Sequence, residues 1–112
     1  MRTAEQLNVT FVISTQVLQE FYATVTRKFS SRVPESVILF AMHDFTDFPT
    51  VQISVPVIFD AIELCRRFRL SFWDSLIVQA AMVAGCSRLL TEDLQHQMRI
   101  GDLVVENPFL DL

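Results

Sequence analysis

Glycine is scarce in this 112-residue chain: Gly85 and Gly101 are its only two, so it contains no glycine-rich loop of the kind that cradles a nucleotide phosphate. Cysteine is equally rare. Cys65 and Cys86 have no partner at metal-ligand spacing, and both lie in or beside apolar helical stretches. They are expected to be reduced packing residues, and a zinc site is not expected. No apolar run approaches the ~20 residues a bilayer-spanning helix needs. The opening Met1-Arg2-Thr3-Ala4-Glu5 also lacks the hydrophobic segment of a secretory signal. A soluble, cytoplasmic protein with no membrane partner is therefore expected. Positive charge is in the minority, with 9 Lys and Arg against 13 Asp and Glu and a net charge of −4. That balance argues against a broad electrostatic nucleic-acid binder but leaves room for a local basic rim beside an acidic pocket.

What is present in quantity is apolar surface. Hydrophobic residues make up 51% of the chain, enough for one domain with one core and too little chain for two. The rest is organised around SFWDSLIVQAAMVAG, residues 71–85. Ser71 fits an N-cap, Asp74 stands where the acidic partner of a capping box belongs, and Gly85 suits the left-handed position past the last turn. Between them the segment is apolar nearly all round, with only Ser75 and Gln79 as a polar edge, and such a helix is expected to be buried. Asp74 shares a stripe with Ile77, Val78 and Ala81. Two readings stay open for it: a carboxylate that complements the helix dipole, or one member of a metal-binding set that needs further carboxylates nearby.

Upstream, residues 2–8 read as the tail of a helix, and Val9-Thr10-Phe11-Val12-Ile13 reads as a buried strand. Ser14 and Thr15 cap a helix over residues 16–29, with Leu18, Phe21, Tyr22, Val25 and Phe29 as its core stripe. Glu20 projects away from that stripe, as a solvated glutamate does. Arg27, Lys28 and Arg32 gather at its end. Pro34 starts a second helix that offers Val37, Ile38, Phe40, Ala41 and Phe45, and Pro49 stops it. Residues 50–54 alternate like a short strand. Pro56 sits in the first turn of a helix through Phe68 whose expected core positions are Ile58, Phe59, Ile62, Cys65 and Phe68. Arg66, Arg67 and Arg69 crowd its end, either as complements to the dipole or as a phosphate-facing rim.

After residue 85, Ser87-Arg88-Leu89-Leu90-Thr91 reads as a strand, with Glu92-Asp93 at its carboxyl end. In open parallel sheets ligands bind beyond the carboxyl ends of strands, so this acidic pair is a site candidate as well as an ordinary polar turn. His43 and His96 lack ligand spacing and are expected at the surface. Leu103-Val104-Val105 makes a last strand. Strands separated by helices predict an α/β fold with a three-layer parallel sheet and helices on both faces. No repeat, low-complexity tract or long linker interrupts it.

Three stretches together carry a resemblance: ISTQVLQEFYATVTRK (13–28), LSFWDSLIVQAA (70–81) and LLTEDLQHQ (89–97). In this order they resemble the corresponding segments of PIN-domain proteins, especially the VapC-like bacterial toxins, over nearly the whole chain. The resemblance implies a single PIN-like domain and a Mg²⁺- or Mn²⁺-dependent ribonuclease. Glu20, Asp74 and Asp93 would be its metal-holding catalytic carboxylates and Thr91 a supporting hydroxyl. The family also opens with an aspartate-bearing strand that has no counterpart before Phe11, so an N-terminally incomplete domain is expected.

Two functions of different class follow from the resemblance. One is an endoribonuclease, a hydrolase of a toxin–antitoxin pair, with RNA as substrate and an antitoxin protein or a second copy of the chain as partner. Mg²⁺ favours carboxylate oxygens and retained waters, and Arg66, Arg67 and Arg69 would touch the RNA backbone. The other is a catalytically inactive remnant that serves as an interaction module or has no function, because the family's first aspartate has no counterpart here.

Overall fold

The computed structural model describes residues 10–29, 32–108 and 110. Among them the order is β1 (Ile13–Ser14), α1 (Thr15–Phe29), α2 (Glu35–Phe45), β2 (Thr50–Val51), α3 (Val55–Phe68), α4 (Phe72–Val83), β3 (Arg88–Leu90), β4 (Arg99–Ile100) and β5 (Leu103–Glu106). The fold is mixed α/β. It divides between Gln52 and Ile53 into two compact units. The expected helix over residues 2–8 and the start of the first expected strand, Val9, lie outside the described residues.

In the first unit β1 and β2 run parallel, pairing Ile13 with Thr50 and Ser14 with Val51. The Ile13 amide donates to the Pro49 carbonyl at 3.0 Å. Ser14 is buried, and its hydroxyl oxygen accepts from the Val17 amide at 3.4 Å, closing the first turn of α1 as the sequence leads one to expect. α1 packs on α2 through an edge-to-face pair, Phe21 and Phe45, with ring centroids 5.0 Å apart. Ile38 is buried, whereas Tyr22, Phe29, Val37 and Phe40 are exposed, Phe40 by 70%. Helical periodicity placed Tyr22 and Phe29 in the core stripe and marked Val37 and Phe40 only as apolar surface. It identifies apolar positions but not which of them a neighbouring element covers.

The second unit is built on α4. The Ser71 hydroxyl oxygen accepts from the Asp74 amide at 3.1 Å, which gives the first turn a partner for one of its unpaired donors. At the other end the Gly85 amide donates to Met82 and the Cys86 amide to Ala81, both at 3.0 Å. Gly85 has φ of +73°, so the pair of bonds forms a Schellman motif with glycine in its left-handed position. Between the two caps Leu76, Val78, Ala80 and Ala81 are buried, as expected of an apolar helix. Ser75 is fully buried as well, its hydroxyl donating to the Ser71 carbonyl at 2.9 Å. Ser75, one of the two residues of the expected polar edge, is thus satisfied by the helix's own first turn.

α3 packs along α4, and its buried positions are Val57, Ala61 and Leu64. That corrects the expected stripe: Phe59 is 67% exposed and Ile62 is also exposed. The physical reason is size. Ala61, with no exposed surface, faces inward where a small side chain allows two helices to approach closely, and a pattern weighted toward bulky residues passes over it. Leu64, Val78, Ala81, Ile100 and Leu103 form the buried cluster, with Phe68, Leu70, Cys86, Leu89, Leu94 and Met98 packed around it. Each large aliphatic side chain buried there contributes about 1.5 to 3 kcal/mol.

The sheet of this unit has the order β3-β5-β4, with β3 parallel to β5 and β4 antiparallel to β5. An antiparallel β4 was not among the expected strands. It is made by a tight hairpin in which Ile100 pairs with Leu103 across Gly101-Asp102, Gly101 taking φ of +59°. Glycine at the first central position matches the strand twist in a two-residue loop.

Replacing either cap of α4 is expected to lower stability without changing the fold. Ser71→Ala should cost about 1 kcal/mol. Gly85→Ala should cost about 1 to 2 kcal/mol. An added methyl group at Gly85 would meet no atom within 4 Å, so its cost comes from the backbone alone. Urea denaturation checks both; an unchanged midpoint for Gly85→Ala would contradict the left-handed cap.

Candidate functional site

Asp74 is half-buried in the first turn of α4, three residues past the cap. Negative charge is favoured there by the unpaired amides and the helix dipole, and no basic side chain is needed to hold it. Thr91 prolongs β3 by one ladder bond, its amide donating to the Glu106 carbonyl at 3.0 Å. Its side-chain oxygen accepts from the Asp93 amide at 3.1 Å, a local turn that anchors the aspartate just past the strand end. Asp93 and Glu92 are exposed.

These two places lie on elements joined by a single tight turn. α4 reverses into β3 through the tight Gly85 turn and packs beside it, so the start of the helix and the end of the strand point the same way. From Val83 back to Asp74 the helix rises about 14 Å at 1.5 Å per residue. From Arg88 to Thr91 three extended steps cover about 10 Å. The two climbs are similar, and the strand's ends at the carboxyl edge of the parallel pair β3 and β5.

Glu20 belongs to the first unit. It is exposed on α1 and accepts from the Gln16 side-chain amide at 3.1 Å, in keeping with a helical phase that points it away from the core. Carboxylate oxygens at Glu20, Asp74 and Asp93 are the hard donors that Mg²⁺ and Mn²⁺ take, so the donor chemistry fits such an ion. Within neither unit do three His, Cys, Asp or Glu side chains among the described residues form a group able to hold one. No family model and no curated protein matches the chain.

Arg66 and Arg67 occupy the last turn of α3, and Arg69 is its C-cap in the left-handed conformation with φ of 57°. All three are exposed. The Arg67 guanidinium sits 5.5 Å from the ring centroid of Phe68, a cation–π arrangement. Cys65 and Cys86 are free thiols, and the Cys65 thiol donates to the Leu70 carbonyl at 3.0 Å.

Two residues near the β3 and β5 edge escaped sequence reasoning. His96 is half-buried, not superficial as expected, and its Nδ1 accepts from the Asn107 amide at 3.0 Å. It thereby ties the turn after Asp93 to the end of β5. Glu106, also half-buried, lies 3.4 Å from Arg88 across the sheet. Neither pairing could be found from spacing, because both join residues that only the sheet brings together.

A separate electrostatic feature lies in the first unit, where a cavity of about 140 Å³ is lined by Tyr22, Thr26, Val33, Glu35 and Ile38. The Tyr22 hydroxyl donates to Glu35 Oε1 at 2.9 Å. That hydrogen bond, the nearby negative charge and some desolvation raise the phenol above its ordinary value of 10.0. A folded-state value raised above the unfolded one means the contact stabilises below pH 10 and is lost as pH climbs through the folded value. Tyr22 is the chain's one tyrosine, so near-ultraviolet phenolate absorbance reads it alone. The midpoint should lie above 10.0 and drop in Glu35→Gln; a midpoint at or below 10.0 in the unmodified chain would contradict the contact.

Proposed function

We propose that this chain is a divalent-metal-dependent endoribonuclease of the PIN-domain type, its helices and sheets completing a three-layer arrangement, and that it acts as the toxin of a toxin–antitoxin pair. What supports this reading is that Asp74 stands in the first turn of α4 and that the Thr91–Asp93 turn follows the carboxyl end of β3, a strand parallel to β5 and joined to α4 by the Gly85 turn. Asp74 and Asp93, with Glu20 brought from α1, would hold Mg²⁺ or Mn²⁺. When bound, such an ion supplies a Lewis acid for the phosphodiester.

The chain's own residues do the remainder. Thr91 uses a lone pair on the Asp93 amide, which leaves its hydroxyl proton to donate to a water or a phosphate oxygen. Exposed Arg66, Arg67 and Arg69 supply cations for the RNA backbone next to an otherwise acidic surface.

A second reading, an interaction module without catalysis, is favoured by one observation. Val55, Phe59 and Ile62 follow helical spacing on α3 and are all exposed. An antitoxin or a second copy of the chain would gain from covering them.

The direct experiment is cleavage of a labelled single-stranded RNA with Mn²⁺, against an EDTA control. Asp74→Asn and Asp93→Asn should each fall to the EDTA background while retaining the circular dichroism of the unmodified chain. At about a hundred times its Kd, Mn²⁺ should add about 2.7 kcal/mol of stability, a Tm rise on the order of 10 °C that Asp74→Asn abolishes. Cleavage that survives EDTA, or both substitutions, would overturn the reading. Absence of any cleavage together with self-association through α3 would favour the interaction module.

A further inference from the structure

The segment between β3 and β4 carries Asp93 and is hung on β5 at three places. At its start the Thr91 amide donates to the Glu106 carbonyl at 3.0 Å, and at its end the Gln97 amide donates to the Val105 carbonyl at 2.8 Å. Between these two the grip comes from a side chain: the Asn107 amide donates to His96 Nδ1 at 3.0 Å. A ring nitrogen that accepts from a backbone amide carries no proton, so the His96 imidazole is neutral here with its hydrogen on Nε2. The Gln97 side-chain amide nitrogen lies 3.2 Å from Nε2, and a half-turn of that amide brings its oxygen round to accept the hydrogen. We infer that His96 is a positioning residue that works as a proton-released latch: neutral, it holds the Asp93 turn against the end of β5, and protonated at Nδ1, it lets the turn go. This rests on the divalent-metal reading for the role of Asp93 and adds to it how that carboxylate is kept in place.

Protonation puts an N–H on Nδ1 where the Asn107 N–H already points, so one hydrogen bond becomes two donors face to face. Turning the ring does not remove the conflict, because both nitrogens of a charged imidazole are donors. The charged groups on the surrounding elements are Glu92 and Asp93 on the turn itself, Glu106 on β5, Arg88 on β3 and Arg99 on β4. The three carboxylates favour a charged ring, but Glu92 and Asp93 are exposed and screened, and Glu106 is shared with Arg88 at 3.4 Å. The direct contact at 3.0 Å therefore decides. The turn is also poised to move. Gln97 has φ of +68°, a left-handed conformation disfavoured for a residue with a side chain, so its backbone relaxes once a neighbouring hold is gone. Beyond Thr91 the next directional hold on Asp93 is His96; Leu94, between them, packs on the core cluster, and apolar contact fixes no orientation.

The chain has two histidines, and His43, exposed in the first unit, serves as an internal control. Nitrogen-15 spectra of the full chain at pH 8 should show His96 Nδ1 as the unprotonated ring nitrogen and Nε2 as the protonated one. Between pH 8 and pH 5, the range over which histidines charge, the amide-exchange protection factor of Asn107 should fall roughly 2- to 12-fold, the worth of one hydrogen bond. The amide of Val78, in the buried cluster, should keep its protection, which marks the release as local. His96→Asn, whose Oδ1 accepts as Nδ1 does but takes up no proton, should protect Asn107 at both pH values, and His96→Leu at neither. The Mn²⁺ concentration that half-broadens the Asp93 amide signal should rise in the same order when the three chains are compared at each pH. A protonated Nδ1 at pH 8, an Asn107 protection factor that ignores pH, or no difference between His96→Asn and His96→Leu would overturn the inference. The expected pattern at Asn107 with no Mn²⁺ broadening near Asp93 would uphold the latch and overturn the metal reading. Broadening of Asp93 that is alike in all three chains at both pH values would overturn the positioning role and leave that reading in place. If His96→Leu fails to fold, the unmodified chain and His96→Asn still decide the matter.

Discussion

α4 buries Ser75, Leu76, Val78, Ala80 and Ala81, so its ends must satisfy their backbone groups locally and cannot lengthen without carrying apolar residues into solvent. The Ser71 cap and the Gly85 motif do this at the two ends, twelve helical residues apart. Most of the second unit follows from that fixed length. α3 lies along the helix, its Leu64 in the same cluster as Val78 and Ala81, and β3 leaves the Gly85 turn directly, already packed against the helix it came from. Leu103 and Ile100 then complete the cluster around Val78.

The same constraint sets the chemistry. A helix that ends in a tight reversal sends the following strand back along it, so the Ser71 turn opens the helix and the Thr91 turn closes the strand that runs back. Asp74 is held there by its amide, which donates to the Ser71 hydroxyl, and Asp93 by its amide, which donates to the Thr91 hydroxyl. These are local bonds of about 1 kcal/mol each, small beside the buried cluster that supports them. The two turns therefore depend on core packing more than on a network with its own stability.

Local chemistry was the legible part of the sequence. Ser71, Gly85, Pro34 and Pro56 mark helix ends by what their own side chains do to the backbone, and each stands at or beside such an end. β3 and β5 were legible as short apolar runs, and Glu20 was correctly placed on an outward face. Legibility failed wherever a second element decides the outcome. Phe59 and Ile62 look like core to any periodic count, yet Ala61 is the residue left with no exposed surface. β4 is two residues long and exists because β5 is there to pair with, although Gly101-Asp102 between Ile100 and Leu103 was a usable hairpin signal. His96 carries no spacing signal, since its partner Asn107 arrives only with the folded sheet. Whether Glu20 joins Asp74 and Asp93 is likewise a question no local pattern answers.

That question is the centre of the functional account, and paramagnetic broadening by Mn²⁺ in amide NMR spectra addresses it without requiring turnover. Substoichiometric Mn²⁺ should broaden the signals of Asp74 and Ser75, those of Thr91 to Asp93, and that of Glu20 together, ahead of every other carboxylate. Broadening centred on Asp44 and Asp47, or spread evenly over the acidic surface, would contradict it.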